Sequence, residues 1–238
     1  MGIYDQAQFA VRCEWGLAGV QQVAPGCDAV VIVDVLSFST CVEVATARGG
    51  VIYPYGGAAE NAETFAHARN AHLASRDRTQ PFSLSPHKLS TVKAGTRLVL
   101  PSPNGSTLSA ATGPVPTFAA CLRNAAAVAA AVQATGSRIA VIPAGERWRS
   151  DGSLRPALED WLGAGAVIQH LTGPKSPEAL AAEQIFRLYE ADLPGVLRQI
   201  ASGIELIEDG FAEDVALAAQ LNISQTVPRL LDGAYQQP

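Results

Sequence analysis

Short apolar segments rich in β-branched residues alternate with alanine-rich helical segments through most of the chain. The predicted strands are Phe9–Glu14, Ala29–Val33, Val51–Tyr55, Thr96–Leu100, Val115–Ala120 and Arg138–Ile142. The predicted helices are Leu17–Val23, Thr40–Arg48, Ala58–Ala71, Leu122–Ala134 and Arg155–Leu171, with a short one after Thr107. This alternation favours a mainly parallel or mixed sheet with helices on both faces. The sequence therefore predicts a three-layer α/β/α fold.

Two stretches depart from the alternation. Residues 74–95 are polar and contain two prolines, so we expect a long connection there. After residue 175 we expect no further strands, only a C-terminal helical segment that begins at Ser176 and Pro177. The length suits one domain spanning residues 1–238, or two lobes that share one core.

Composition and charge exclude some classes of function for this chain. The net charge of −5 and the absence of a Lys/Arg cluster argue against a nucleic-acid partner. No signal-peptide pattern and no long apolar run is present, so we expect no membrane partner and a cytoplasmic location. A homodimer is left open. The cysteines lack zinc-site spacing and are expected to be buried free thiols; they are Cys13, Cys27, Cys41 and Cys121.

Asp34 directly follows an entirely apolar strand. Three hydroxyl residues come after it: Ser37, Ser39 and Thr40. A carboxylate at the end of a buried strand is costly to desolvate, and a metal ion or a reacting group would supply the missing partner. The start of the next helix offers free N–H groups to an anion. Thr40 also fits a capping box with Glu43, which would be a purely structural role.

A second polar group follows the strand that ends at Leu100. It consists of Asn104, Gly105, Ser106 and Thr107. Short polar residues around a glycine at a helix start can form a phosphate cradle. The alternative is local, with Asn104 as a helix N-cap and Gly105 as a turn residue.

A third polar group follows the strand that ends at Ile142. The loop carries Glu146, Arg147 and Arg149, and the next helix carries Glu159 and Asp160. Adjacent helical residues point about 100° apart, so at most one of the two acids faces the site squarely. Asp160 shares a face with apolar residues further along the helix, so we expect it to be the buried one. The alternative is a solvated acidic pair.

Ligands bind beyond the carboxyl ends of strands in open parallel sheets, so these three groups are expected to form one site. Carboxylate oxygens suit Mg²⁺, which takes only one or two protein carboxylates. Arginine suits phosphate or sulfonate. The combination predicts a Mg²⁺-dependent enzyme that acts on a small anionic phosphorylated substrate.

In this order the motifs resemble the 2-phosphosulfolactate phosphatase (ComB-like) family along nearly the whole chain. The matching stretches are VVIVDVLSFST, FSLSP, PNGST, RNAAAVA, PAGERW…SLRPALEDWLGAGAVI and VPRLLDG. The resemblance implies a three-layer α/β/α fold. It also implies Mg²⁺-dependent hydrolysis of 2-phospho-3-sulfolactate to 3-sulfolactate and phosphate, a step toward coenzyme M.

The resemblance also implies site residues. The positions that match family motifs are Asp34, Asn104, Gly105, Thr107, Glu159 and Asp160. Together with the strand-end reasoning, this predicts Asp34, Glu159 and Asp160 as catalytic residues, with Asp34 and Asp160 as Mg²⁺ ligands. The predicted substrate-binding residues are Ser37, Ser39, Thr40, Asn104, Gly105, Ser106, Thr107, Glu146 and Arg147. Direct attack by water and a phosphorylated side chain both stay open.

One position departs from the family pattern. Many members have arginine where this chain has Ser37, so an anion-binding arm is missing there. Arg147 or Arg149 is the predicted replacement. The rival interpretation is a ligand-binding or regulatory protein that keeps the fold without turnover. A haloacid-dehalogenase-type phosphatase is disfavoured because Leu36 stands where its second aspartate would be.

Overall fold

The computed structural model describes residues 2–237 and contains a nine-stranded mixed sheet. The strands are β1 Val11–Cys13, β2 Ala29–Val33, β3 Val51–Tyr55, β4 His72–Leu73, β5 Arg97–Pro101, β6 Thr117–Ala120, β7 Ile139–Pro143, β8 Glu146–Arg147, β9 Leu154–Arg155, β10 Arg229–Leu231 and β11 Ala234–Gln236. Across the sheet the order is β1-β7-β2-β6-β10-β11-β3-β5-β4. Strands β8 and β9 form a separate antiparallel ribbon.

Helices cover both faces of the sheet, and the predicted three-layer α/β/α fold is confirmed. The helices are α1 Gly16–Val23, α2 Phe38–Ala47, α3 Ala62–His67, α4 Pro86–Leu89, α5 Gly105–Ala111, α6 Ala125–Thr135, α7 Leu158–Ile168, α8 Pro177–Tyr189, α9 Leu193–Gln199, α10 Ala201–Glu208 and α11 Ala212–Ala218. Within residues 2–237, no helix has both the length and the apolar character needed to cross a membrane.

The sheet consists of two parallel sets of strands that run in opposite directions. Strands β1, β7, β2 and β6 form one set, and β3, β5 and β4 form the other. The hairpin β10–β11 lies between them and pairs antiparallel with β6 on one side and with β3 on the other. This hairpin joins the two sets into one continuous sheet.

The hairpin shows that the expectation of helices alone after residue 175 is wrong. Its turn is Asp232-Gly233, and both residues have positive φ, 51° and 79°. An Asp-Gly pair between apolar residues is a strong signal for a two-residue hairpin turn. The signal is present in the sequence, and Tyr235 beyond the turn is fully buried in the middle of the sheet.

Strand β2 is buried on both faces, as its continuous apolar sequence predicts. Val31 and Val33 pack under α6, α7 and α8, whereas Val30 and Ile32 pack under α1 and α5. The second set of strands has its own layers, with α2 and α4 on one face and α3 on the other. The end of β2 therefore lies at the centre of the molecule.

Helix α7 approaches the end of β2 very closely. A Cβ atom on Gly163 would lie 2.7 Å from Val33 Cγ1 and 2.6 Å from Val35 Cγ2, so the helix needs glycine at this position. This approach places the acidic first turn of α7 beside the residues that follow β2.

Candidate active site

Asp34 follows β2, and its carboxylate contacts the starts of two helices. Oδ1 accepts a hydrogen bond from Phe38 N at 3.0 Å, and Oδ2 accepts one from Gly105 N at 2.9 Å. Asp34 is only 5% exposed, and burial raises the pKa of its carboxyl group, although the two N–H donors oppose that shift. The predicted carboxylate at this strand end is therefore buried and fixed in orientation.

Gly105 reaches Asp34 by a route that the sequence did not predict. Strand β5 runs opposite to β2, so their carboxyl ends do not lie at one common edge. Instead, α5 packs across both β3 and β2. A Cβ atom on Gly105 would lie 2.7 Å from Phe38 Cγ and 2.8 Å from Asp34 Oδ2, so only glycine allows this contact.

The other residues of that group have separate positions. Asn104 stands at the N-cap position of α5 but makes no side-chain cap; its Nδ2 donates to Glu146 Oε2 at 3.0 Å. Ser106 is fully buried and donates its hydroxyl to Leu100 O. Thr107 lines an open cleft. Asn104 thus contacts Glu146 and Thr107 lines the cleft, whereas Ser106 stabilises the backbone at the end of β5.

Ser39 and Thr40 are both fully buried and bond to the backbone. Ser39 Oγ accepts a hydrogen bond from Asp34 N at 3.0 Å and donates to Ile32 O at 3.1 Å. Thr40 Oγ1 donates to Val35 O at 2.7 Å. These two hydroxyls hold the turn that carries Asp34.

The capping-box interpretation of Thr40 is wrong. Helix α2 begins at Phe38, so Thr40 lies inside its first turn, and no side-chain cap is present at its start. Glu43 instead forms a buried ion pair with Arg123 at 2.6 Å.

Asp160 forms hydrogen bonds to the backbone beyond the ends of two neighbouring strands. Its Oδ1 accepts a hydrogen bond from Val35 N at 2.7 Å, beyond β2, and its Oδ2 accepts one from Gly145 N at 2.8 Å, beyond β7. Burial raises its pKa well above the usual range, and the negative charges of Asp34 and Glu159 add to the shift. The expectation that Asp160 is buried is confirmed.

Glu159 is buried as well, at 2% exposure, so the alternative of a solvated acidic pair is excluded. Burial raises its pKa, while a hydrogen bond from Ser202 and the charge of Arg155 lower it. The two adjacent acids have different neighbours, because Glu159 lies beside Ser202 and Arg155 whereas Asp160 contacts Val35 N and Gly145 N.

Glu146, which is half-buried, is the fourth acid near Asp34. Burial raises its pKa to about 7, the charges of Asp34 and Glu159 add to the shift, and the hydrogen bond from Asn104 opposes it. The β8–β9 ribbon, in which Glu146 pairs with Arg155, holds it in place.

These four acids, Asp34, Glu146, Glu159 and Asp160, are called the carboxyl cluster below. Burial raises the pKa of every member, and the neighbouring negative charges raise it further for all except Glu159. In the part of the chain that the structure describes, no group of three or more His, Cys, Asp or Glu side chains has an arrangement that could hold a metal ion. The cluster could therefore supply one or two ligands to a metal rather than a complete set.

A cleft of about 630 Å³ carries three arginines, Arg76, Arg78 and Arg147. None of the four acids lines this cleft; Glu146 lines a separate pocket of about 190 Å³ that shares Pro103 and Arg147 with it. Arg147 donates to Pro103 O and to Gly152 O, each at 3.1 Å. Arg149 does not line the cleft; its side chain is 88% exposed and pairs with Glu205. Of the two predicted replacement arginines, only Arg147 borders the site.

Arg78 is the residue that sequence reasoning missed. It comes from the long connection 74–95, and its Nη1 donates to Ser37 Oγ at 3.3 Å. Its positive charge acts on Asp34 and lowers the pKa of that carboxyl. No local pattern marks it; the only signal was that long irregular loops often carry function.

Comparison with known proteins identifies the family. A family model described as 2-phosphosulpholactate phosphatase matches residues 20–233. A protein of Carboxydothermus hydrogenoformans named probable 2-phosphosulfolactate phosphatase is 31% identical over 209 residues, which is 84% of this chain and 85% of that protein.

Two further relatives with the same name match over shorter segments. The protein from Gloeobacter violaceus is 33% identical over 85 residues, and the one from Symbiobacterium thermophilum is 30% identical over 82 residues. The matched segments cover 36% and 32% of this chain and only 34% and 35% of those proteins. The family match itself spans nearly the whole chain, and the chain belongs to the 2-phosphosulpholactate phosphatase family.

Proposed function

We propose that this chain is a Mg²⁺-dependent hydrolase that removes the phosphoryl group from a small phosphorylated acid, with 2-phosphosulfolactate as the first candidate. The family and the names of the relatives support this reaction class. The observation that carries the proposal is the carboxyl cluster, whose member Glu146 lines a pocket that shares Pro103 and Arg147 with the three-arginine cleft. Carboxyl groups can move protons and bind Mg²⁺, and guanidinium groups bind oxyanions.

Glu146 suits the transfer of a proton to the leaving group. A carboxyl group with a pKa of about 7 is partly protonated at neutral pH, and Asn104 fixes its orientation through the 3.0 Å hydrogen bond. When the ester P–O bond breaks, the departing alkoxide takes this proton, and an oxygen from water ends on phosphorus. An acid tuned close to the working pH is the most effective general acid.

Asp34 suits a role close to phosphorus. Each of its carboxylate oxygens accepts one backbone N–H, which leaves a lone pair on each for another partner. It can orient water or receive the phosphoryl group itself, and both routes stay open. Positioning and charge neutralisation supply most of the catalysis in reactions of this class.

The donor set fits Mg²⁺ with few protein ligands. Three buried carboxyl groups and the half-buried Glu146 lie together, and burial disfavours their charged forms, which a cation would stabilise. Asp34 and Asp160 are the proposed ligands, with water completing the coordination. When bound, Mg²⁺ would neutralise charge on the phosphoryl group. The product, 3-sulfolactate, is the compound that the coenzyme M route would consume.

A second candidate is a ligand-binding protein without turnover. All four carboxylate oxygens of Asp34 and Asp160 accept backbone hydrogen bonds, which is also what purely structural carboxylates do. This alternative predicts that the cleft binds phosphorylated acids and releases them unchanged.

Analysis of the products separates the two candidates. The purified chain is incubated with 2-phosphosulfolactate and Mg²⁺, and free phosphate and 3-sulfolactate are measured beside the Glu146→Gln variant. We expect equal amounts of both products from the wild type and at least about 100-fold slower release from the variant, since a general acid contributes roughly 10²–10⁴-fold. Binding of the ester without any phosphate release would favour the second candidate.

A further inference from the structure

Arg78 is the least exposed of the three arginines of the cleft, and its side chain is held in place. Its Nη1 donates to Ser37 Oγ at 3.3 Å and also contacts the carbonyl oxygen of Leu84. Its guanidinium lies 5.9 Å from the ring centre of Phe211. The side chain is 20% exposed, whereas Arg76 and Arg147 are exposed residues. Arg78 is therefore already ordered at the cleft wall before any ligand binds.

A buried carboxylate on the far side holds Arg78. Asp214, in the first turn of α11, is 1% exposed, and its Oδ1 accepts hydrogen bonds from Ser85 Oγ at 2.7 Å and from His87 N at 2.9 Å. Its Oδ2 makes no hydrogen bond with any residue that the structure describes, and Arg78 Nη1 lies 3.5 Å away. A buried carboxylate needs such a counter-charge, so Arg78 and Asp214 form one positioning unit.

The arginines of the cleft have different neighbours. Arg147 and Pro103 line both the cleft and an adjoining pocket of about 190 Å³ that contains Asn104 and Glu146. Arg78 borders the other wall, beside Ser37 and Leu84. A phosphoryl group must lie near Glu146 for its leaving oxygen to take the proton. The wall with Arg78 is then left for another part of the substrate.

We propose that Arg78 binds the acid group of the substrate that is not hydrolysed, a carboxylate or a sulfonate. This assignment rests on the proposed function. An arginine fork binds an oxyanion through charge-assisted hydrogen bonds, each worth more than a neutral one. Because Asp214 and the Leu84 carbonyl already order the side chain, little entropy is lost on binding.

Binding of product-like fragments tests the assignment without turnover. Calorimetric titrations with 3-sulfolactate and with inorganic phosphate are compared for the wild type, Arg78→Gln and Arg149→Gln. We expect Arg78→Gln to weaken 3-sulfolactate binding about 10- to 150-fold, the range of one charge-assisted contact, and to leave phosphate binding within about threefold. Arg149→Gln is the matched control, and it should leave both affinities unchanged because Arg149 lies outside the cleft.

Kinetics then separate this proposal from the proposed function. The kcat/KM for 2-phosphosulfolactate is compared with that for isopropyl phosphate, which has no second acid group. Arg78→Gln should lower kcat/KM for 2-phosphosulfolactate about 10- to 150-fold, mainly by raising KM. It should leave kcat/KM for isopropyl phosphate within about threefold of the wild-type value. If no ester is hydrolysed by any protein but the calorimetric difference persists, the proposed function fails and the role of Arg78 stands.

A double variant controls for misfolding of Arg78→Gln. Arg78→Gln leaves the buried Asp214 carboxylate without its counter-charge, so the double variant Arg78→Gln/Asp214→Asn is made as well. The melting temperature of the double variant should be close to that of the wild type, and the variant should show the same selective loss of 3-sulfolactate binding. Equal weakening of phosphate and 3-sulfolactate binding, or no weakening of either in a folded variant, would overturn the proposal.

Discussion

At the scale of single residues, Gly105 is the position where one added methyl group has the clearest expected effect. A Cβ atom there would lie 2.7 Å from Phe38 Cγ and 2.8 Å from Asp34 Oδ2. We expect Gly105→Ala to destabilise the fold by about 1–3 kcal/mol and to displace the start of α5 from Asp34. Urea unfolding and phosphate release measure the two effects, and Ala110→Ser, on the exposed side of the same helix, is the control. Wild-type stability and activity in Gly105→Ala would contradict the geometry.

Glu146 makes the stability of the protein depend on pH. Its folded-state pKa is raised to about 7 from 4.5, mainly by burial. The stability that it contributes is therefore fully present below about pH 4.5 and is lost as pH rises through about 7. In EDTA, the free energy of unfolding of Glu146→Gln should match that of the wild type near pH 4.5 and exceed it near pH 8 by roughly 3 kcal/mol, since one pKa unit corresponds to about 1.4 kcal/mol. Urea unfolding at the two pH values checks this, and a difference that does not change with pH would refute it.

The sequence indicated which polar residues follow the strands, but it indicated their contacts only in part. A carboxylate after an apolar strand is costly unless it has a partner, and this reasoning selected Asp34. Its partners in the structure are the Phe38 and Gly105 N–H groups, and its role in catalysis stays a prediction. Ser39 and Thr40 instead bond to the backbone of the turn, which nearby hydroxyls do as readily as they bind ligands. Arg78 was missed because its contacts with Ser37 and Asp214 join distant parts of the chain, and no local pattern records such contacts.

At the scale of elements, the β10–β11 hairpin joins the two sets of strands. Gly233 in its turn has φ of 79°, and a Cβ atom there would meet no other atom within 4 Å, so only backbone conformation restricts this residue. Gly233→Val should destabilise the protein by about 1–2 kcal/mol, and Gly233→Asn by less, because asparagine tolerates positive φ. Thermal unfolding of both variants tests this. Equal stability of the two would show that the turn does not require left-handed backbone.

Strands were more predictable than their arrangement. The ranges Ala29–Val33 and Val51–Tyr55 have the same bounds in the structure as in the prediction, because a continuous apolar run is a strong local signal. The predicted helix Ala58–Ala71 shortens to Ala62–His67 after a 3₁₀ turn, and the connection 74–95 contains the short helix α4. The reversal of direction between the two sets depends on pairing across the sheet, which no local segment encodes.

At the scale of the whole molecule, the site is assembled from both sets of strands. The first set supplies Asp34 and the loop with Glu146, and the second supplies the helix that starts at Gly105 and the connection with Arg78. Burial and mutual repulsion raise the pKa values of Asp34, Glu146 and Asp160 in the carboxyl cluster, so their charged forms are disfavoured without a counter-charge. A cation that binds the cluster would supply that counter-charge, so Mg²⁺ is central to the account.

Phosphate release from 2-phosphosulfolactate, measured with Mg²⁺ and again in excess EDTA, tests this claim most directly. We expect release by the wild type in Mg²⁺, a fall of at least about 100-fold in EDTA and recovery when Mg²⁺ is restored, because the proposed metal would stabilise the developing charge by several kcal/mol. Asp34→Asn should be slow under all three conditions while remaining folded. Full activity of the wild type in excess EDTA, or undiminished activity of Asp34→Asn, would contradict the account.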